Sequence, residues 1–282
     1  MNFRHEVLSE HIIRIVDKLN VAMYLIIGDE KAVLIDTGYG YKGLRSYVEN
    51  LTSKPLFILL SHGHVDHAFG IYEFADLDIY MHYDDLETYA MHSDLDYRDR
   101  FLSSYGTHLS GEFQPEREMT FKEMVNDQLF DLGNYHIQAI HIPGHTKGMM
   151  MFLLQEERVM LYGDACGANT MIMEDCSANL SDYLKSLQYL KTLDAAYDTI
   201  YRNHGSFVSE KGLADNVMEA VNRVLNGCDD RIPLPDSMQN MFPKKAENHL
   251  ICYSAVKADM EKGGLRYDGK EGNVHYRSDK AI

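Results

Sequence analysis

The stretch Ser61 to His67 reads S-H-G-H-V-D-H and sets three imidazoles and a carboxylate, His62, His64, Asp66 and His67, within six positions. Imidazole and carboxylate are borderline-to-hard donors that suit zinc, manganese or iron. So dense a packet of them reads as a metal site rather than as a histidine-rich surface loop. Three later positions share its character: His145 in I-P-G-H-T, Asp164 in Y-G-D and His204 in N-H-G. Each lies beside glycine or at the end of an apolar run, where the loops of a layered α/β fold place functional groups. Seven donors exceed the four that one zinc takes and suit two ions sharing a carboxylate. The other histidines, among them His11, His92, His108, His249 and His275, lack this context and read as surface or locally bonded groups.

The elements that must hold these groups follow from the apolar patterning. Leu56 to Leu60 predicts a buried strand ending at the packet. A strand sends His62 and His64 to one side, because side-chain direction repeats every two residues. A turn beyond it would aim Asp66 and His67 at a second point. Strands are predicted over Ile12–Ile15, Ala22–Ile27 and Ala32–Ile35, with Gly28-Asp29-Glu30 as a turn. The third runs into Asp36-Thr37-Gly38, whose carboxylate reads either as a turn residue or as an outer partner of the ligands. A helix is predicted over Tyr41–Asn50 and a strand over Asp78–His82.

Residues 84–123 are aromatic and charged without a strand pattern. They read as helices and loops inserted over one edge, either a solvated connector or a cap with Tyr89, Tyr97, Phe101 and Tyr105 as wall residues. Strands resume at Tyr135–Ile142, Met149–Leu154, Arg158–Tyr162 and Thr199–Arg202. Helices are predicted over Ser181–Ala196, with Ser181 as N-cap, and over Ser209–Leu225, closed by Asn226-Gly227. The tail from Cys228 holds three of the six prolines and a predicted strand pair within Leu265–Arg277. The patterning assigns it no place.

At 282 residues, 45% hydrophobic and 25% charged, the chain is an ordinary soluble globular protein with length for one large or two smaller domains. Its net charge of -16 repels nucleic acid and anionic membranes, and Lys244 with Lys245 is too small a basic cluster to reverse that. Four cysteines without a C-x-x-C pair suit a reducing compartment. No signal peptide or membrane span is evident. The expectation is a cytoplasmic protein acting on a small-molecule substrate, with no nucleic-acid or membrane partner, and with the tail as a candidate homodimer contact.

The motifs together resemble the metallo-β-lactamase superfamily. His62 to His67 match its H-x-H-x-D-H, Asp36 its early Asp-Thr-Gly loop, His145 its P-G-H-T turn, Asp164 its G-D turn and His204 its late histidine-glycine turn, in family order over about residues 10–210. The resemblance implies an α/β fold, the αββα sandwich of that family, with a catalytic domain at 1–227, a helical cap at about 84–123 and a C-terminal extension at 228–282. It also implies one ion on His62, His64 and His145, the other on Asp66, His67 and His204, and Asp164 bridging. Zinc-type β-lactamases carry a cysteine ligand at the Asp164 turn. Here Gly163-Asp164 with Cys166 as a neighbour resembles the thioesterase and lactonase branch, which includes the hydroxyacylglutathione hydrolases. The chain departs from that branch where Met149 and Met150 replace a histidine, and it shows no obvious basic site for a glutathione carboxylate.

The expected cofactor is two divalent ions, zinc first, with iron or manganese as alternatives. Such ions, about 3.5–4 Å apart, lower the pKa of a shared water to near neutrality. The resulting hydroxide would attack an ester, thioester or lactone carbonyl, with Asp66 orienting it and accepting its proton, and the developing oxyanion would lean on an ion. Nineteen tyrosines give no basis for choosing an assisting phenol. Two alternatives stand: a phosphodiesterase or phosphonate hydrolase on the same dinuclear site, and a non-hydrolytic binding module of the same fold. A silent module is expected to lose ligands, and none is missing. Redox work at a di-iron site ranks lower, because no flavodoxin-like domain follows.

Overall fold

Long β-branched runs near the N-terminus dictate a sheet buried on both faces, and the computed structural model, which describes residues 2–115, 117–239, 250–259 and 265–282, contains one. Lys244, Lys245 and His249 lie outside the described residues. The chain divides into two compact units, Met1–Ile140 with Phe152–Glu157, and His141–Met151 with Arg158–Ile282.

In the first unit β1 (Phe3–Val7), β2 (Ile12–Asp17), β3 (Ala22–Ile27) and β4 (Ala32–Ile35) form an antiparallel meander. The sheet then turns parallel through α1 (Leu44–Glu49), β5 (Leu56–Leu59), α2 (Val65–Ala68) and β6 (Ile79–Met81). The inserted helices α3 (Leu86–Ser93) and α4 (Leu95–Ser103) precede its seventh strand, β7 (Lys122–Glu123). A hairpin, β8 (Leu129–Asp131) and β9 (His136–His141), closes this stretch of chain. Strands β2, β3 and β4 are buried along their lengths, as near-continuous apolar runs require. Edge strand β1 is exposed after Phe3. Ile15, Leu25, Leu34, Ile58 and Phe69 lie in the core.

The parallel register matters most for chemistry. Ile35 of β4 sits opposite Leu59 of β5, so Asp36 and the Ser61–His67 packet leave the sheet side by side. Carboxyl ends of adjacent parallel strands are where such folds place ligands. The predicted helix from Tyr41 begins only at Leu44, because Gly43 takes a left-handed φ of 93° and Glu73 accepts the Gly43 and Arg45 backbone N–H groups.

Strand β10 (Met150–Leu154) straddles a boundary between the units' sequence ranges. The second unit contains β11 (Val159–Leu161), β12 (Asn169–Ile172), α5 (Leu180–Thr192), β13 (Thr199–Tyr201), β14 (Val208–Ser209) and α6 (Leu213–Leu225). It continues with β15 (Ile232–Pro233), α7 (Asp236–Gln239), β16 (Cys252–Ser254), β17 (Ala258–Asp259), β18 (Leu265–Arg266) and β19 (Asn273–Arg277). Helix α5 starts one residue before Ser181, capped by Asn179 without a side-chain bond. The Ser181 N–H donates instead to the carbonyl of Ile282. Ser209 belongs to β14, so α6 starts later than its apolar pattern suggests. The predicted strand pair within 265–277 is not a pair: β18 joins β17, while β19 lies between β12 and β16 in a sheet ordered β12-β19-β16-β15. That sheet places the tail, since three of its four strands come from residues beyond Cys228.

Among the described residues, no helix is long and apolar enough to cross a membrane. No described cysteine is in a disulfide.

Candidate metal centre

The first unit gathers His62, His64, Asp66 and His67. Ring centroids of His62 lie 4.6 Å from His64 and 4.1 Å from His67, and His67 Nε2 is 3.7 Å from Asp66 Oδ2. All four are buried. Asp36, at a φ of 61° that few non-glycine residues adopt, organises them. Its Oδ1 accepts the Ser61 backbone N–H at 2.7 Å, and its Oδ2 accepts the Ser61 hydroxyl at 2.8 Å and faces His67 Nδ1 at 3.0 Å. Ser61 has one hydroxyl proton, and Asp36 receives it. His62 Nδ1, 2.9 Å from that hydroxyl oxygen, must therefore donate. One carboxylate thus sets the tautomer of two imidazoles, directly at His67 and through Ser61 at His62, and leaves the ligand bond on each ring to Nε2.

The rest of the Asp36-Thr37-Gly38 loop holds the short helix that carries Asp66 and His67. The Thr37 N–H and hydroxyl both donate to the His67 carbonyl, at 2.7 and 3.0 Å, and the Gly70 N–H donates to the Thr37 hydroxyl. Of the two readings of Asp36, the geometry selects the outer partner.

The second unit gathers His145, Asp164 and His204. Asp164 Oδ2 lies 3.7 Å from His145 Nε2 and 3.4 Å from His204 Nε2. His145 Nδ1 bonds the Met171 carbonyl at 2.7 Å; a carbonyl only accepts, so this ring too presents Nε2. The turn is fixed by Gly144, where a Cβ would stand 2.2 Å from the Tyr183 ring. Ser177 donates to the His145 carbonyl. Asp164 follows Gly163, and His204 precedes Gly205; both glycines take positive φ. Beneath the His204 turn, Arg202 is buried and donates to Ser206 Oγ at 2.9 Å and to Glu271 at 2.6 Å.

These donors fit divalent ions. Two donors on one tetrahedral ion, with bonds of about 2.0–2.2 Å, stand about 3.3–3.6 Å apart. The nitrogen–oxygen distances within each unit, 3.4 to 3.7 Å, lie at or just beyond that edge. Cys166 is a different matter. Burial pushes its thiol up to about 12, partly offset by a hydrogen bond with Tyr183 and by the charge of Arg202. Its sulfur, two residues beyond Asp164, lies 3.5 Å from the Tyr183 hydroxyl.

Several groups around the site were not evident from the sequence. His92, grouped there with the unremarkable histidines, is buried and stacks on His64 at 4.4 Å. Met171 contributes a backbone carbonyl and Glu271 comes from the unplaced tail, so neither carries a local signal. Tyr39 is buried near Asp66; burial first, and then that carboxylate, keep its phenol far above the ordinary value. Of the proposed wall residues, Tyr89 stacks on Phe69 and Tyr97 packs on His92, both buried, while Phe101 is half-buried and Tyr105 is 49% exposed. His275 is buried, with neither ring nitrogen hydrogen-bonded to another described residue.

Comparison with known proteins follows the same pattern. The profile of the metallo-beta-lactamase superfamily matches residues 16–200. The acyl-coenzyme A thioesterase MBLAC2 of Bos taurus is 21% identical over 229 residues, covering 69% of this chain and 81% of the relative. The atrochrysone carboxyl ACP thioesterase of Passalora fulva is 30% identical over 193 residues, covering 66% of this chain and 48% of the relative. Among solved structures, a metallo-beta-lactamase from Pontibacter korlensis aligns with a TM-score of 0.59 at 14% identity, over 78% of this chain and 99% of that one. The sec-alkylsulfatase Pisa1 from Pseudomonas sp. aligns at 0.62 with 13% identity, over 80% of this chain and 42% of that one. These likenesses show the mixed α/β fold.

Proposed function

We propose that this chain, which belongs to the metallo-beta-lactamase superfamily and is a metal-dependent hydrolase, cleaves the thioester bond of a small acyl thioester with the help of two divalent ions. The observation that supports the metal reading is the tautomer control described above: His62, His67 and His145 each have Nδ1 engaged by the protein, the arrangement expected of imidazoles that bind a metal through Nε2. Following the family pattern, His62, His64 and His145 would hold one ion, Asp66, His67 and His204 the other, and Asp164 both. Zinc suits this donor set, with iron and manganese as alternatives. Bound ions would supply Lewis acidity and a water activated near neutral pH.

The chain's own groups do the rest. Asp66 orients the attacking water and takes its proton. Phe101 and Tyr105 offer an aromatic surface to the acyl part. The two thioesterase relatives are named for acyl groups on coenzyme A and on an acyl carrier protein, which share a pantetheine thiol. A chain of net charge -16 favours that neutral arm over the coenzyme phosphates as its handle.

The test is metal analysis of the purified protein, followed by a substrate panel after reconstitution: acyl-coenzyme A, an acylated carrier protein, an acyl N-acetylcysteamine thioester, S-lactoylglutathione, a p-nitrophenyl ester, an acyl lactone, bis-p-nitrophenyl phosphate and a cephalosporin. Thioesters are expected to turn over fastest. Turnover confined to the phosphodiester would overturn the carbonyl reading, and turnover confined to the ester or lactone would overturn the thioester.

A further inference from the structure

His64 stands at the N-cap of α2, where a side chain ordinarily bonds the first backbone N–H groups of its helix. It makes no such bond. The N–H of Val65, next in the chain, donates instead to Nδ1 of His92 at 3.2 Å, and on the other side the N–H of Gly63 donates to Oδ2 of Asp85 at 2.9 Å. Both acceptors are buried, and both belong to the inserted helix α3 or the turn that opens it. Asp85, Tyr89 and His92 fall at i, i+4 and i+7, one face of a helix. Between them Gly63 packs so closely that a Cβ would lie 2.8 Å from the Tyr89 backbone nitrogen and 2.9 Å from the Asp85 carbonyl oxygen. The His92 ring then lies over the His64 ring, centroids 4.4 Å apart and planes 11° apart, with Tyr97 behind it at 4.3 Å.

We propose that Asp85 and His92 are positioning residues for the metal ligand His64. They bracket it by holding the backbone N–H on either side, and the stacked imidazole of His92 sets its ring plane. Both bonds come from α3 or the turn that opens it, so this face of the insertion fixes the backbone on which the His64 side chain is mounted. The insertion is then part of the ligand scaffold as well as a cover, and metal retention depends on it. This inference rests on the metal-site reading above but not on the thioester.

The test measures metal affinity without substrate, by competition between the full-length protein and a chromophoric chelator for zinc, beside thermal unfolding of the metal-stripped protein. His92→Phe keeps a ring but loses the acceptor. His92→Asn keeps an acceptor where Nδ1 stood but loses half the ring. Asp85→Leu removes the other acceptor at similar volume. Outer partners of metal ligands typically contribute about 10–100-fold in affinity. We expect His92→Phe and Asp85→Leu each to weaken zinc binding at least about tenfold, with His92→Asn losing less than His92→Phe. Metal-stripped unfolding midpoints are expected to fall by only a few degrees in His92→Phe and Asp85→Leu, each of which leaves one buried N–H unmet, and to stay nearer wild type in His92→Asn. Wild-type affinity in His92→Phe and Asp85→Leu would overturn the proposal, as would equal losses in the Phe and Asn variants, which would mean packing and not the hydrogen bond. If His92→Phe does not fold, Asp85→Leu decides alone. A wild-type protein that binds zinc tightly and hydrolyses no thioester would remove the substrate assignment and leave this one intact.

Discussion

The clustered donor groups of the two units are held by different means. In the first unit the donors crowd into one heptapeptide, and side chains pin them: Asp36, Ser61, Thr37, Asp85 and His92. In the second unit the three donors lie on separate turns, and what pins them is largely backbone and tail: the Met171 carbonyl, the packing of Gly144 on Tyr183, and Arg202 paired with Glu271. The contrast teaches where robustness sits. A carboxylate hub sets several groups at once and fails as a unit, whereas supports spread over strands fail one at a time.

The largest effects are expected at the donors themselves. His64→Ala in the first unit and Asp164→Ala in the second are each expected to abolish turnover while far-ultraviolet circular dichroism stays near wild type. Full activity with metal loaded in either variant would break the site. Asp36→Asn comes next. With one acceptor oxygen in place of two it cannot take the Ser61 backbone N–H as well as the Ser61 hydroxyl and His67 Nδ1, so activity and zinc affinity are expected to fall about 10–100-fold, the usual penalty for outer partners of a ligand.

Glu271→Ala tests the second unit by removing the carboxylate that pairs with the buried Arg202. Breaking a buried pair costs about 3–5 kcal/mol; with the Glu271 side chain 22% exposed, we expect about 2–3 kcal/mol in denaturant unfolding and a smaller loss of activity than at Asp36. A larger loss than at Asp36 would invert the comparison.

Acid offers a further separation. Burial holds His275 down to about 4 from an ordinary 6.5. Above pH 6.5 the folded and unfolded chains are both neutral there. Between 6.5 and 4 the unfolded chain binds a proton that the folded chain refuses, so stability is lost as pH falls through that window, by about 3 kcal/mol at its end. His275 faces Met171 across the β12–β19 pairing, so acid weakens the strand that supports His145. His275→Leu is expected to flatten the pH dependence of metal-stripped unfolding between pH 6.5 and 4. An unchanged slope would assign the acid sensitivity elsewhere.

How much of this was legible in advance follows from the same contrast. Which side chains gather within each unit was legible at His62, His64, Asp66 and His67 because contiguity made the density visible, and at His145, Asp164 and His204 because each follows a strand and stands beside a glycine. The strands themselves were close, since alternating or continuous apolar runs leave little choice. What failed to show were supports with no residue-type signal. A carbonyl such as that of Met171 looks like any other. Glu271 is one acid among 43 acidic residues. The assumed pairing within 265–277 broke because strand propensity states that a segment is extended and not which neighbour it takes. His92 was the avoidable miss: with Asp85 and Tyr89 it marks a polar face on a helix next to the ligands, and spacing alone would have raised it.

The left-handed backbone at Asp36 has a further implication for anyone redesigning this chain. A procedure that rewarded conformational comfort would write glycine there, relieving strain on the order of 1 kcal/mol. Two imidazoles would then be without the group that tells them which nitrogen carries the proton. The molecule with the more relaxed backbone would be the inert one.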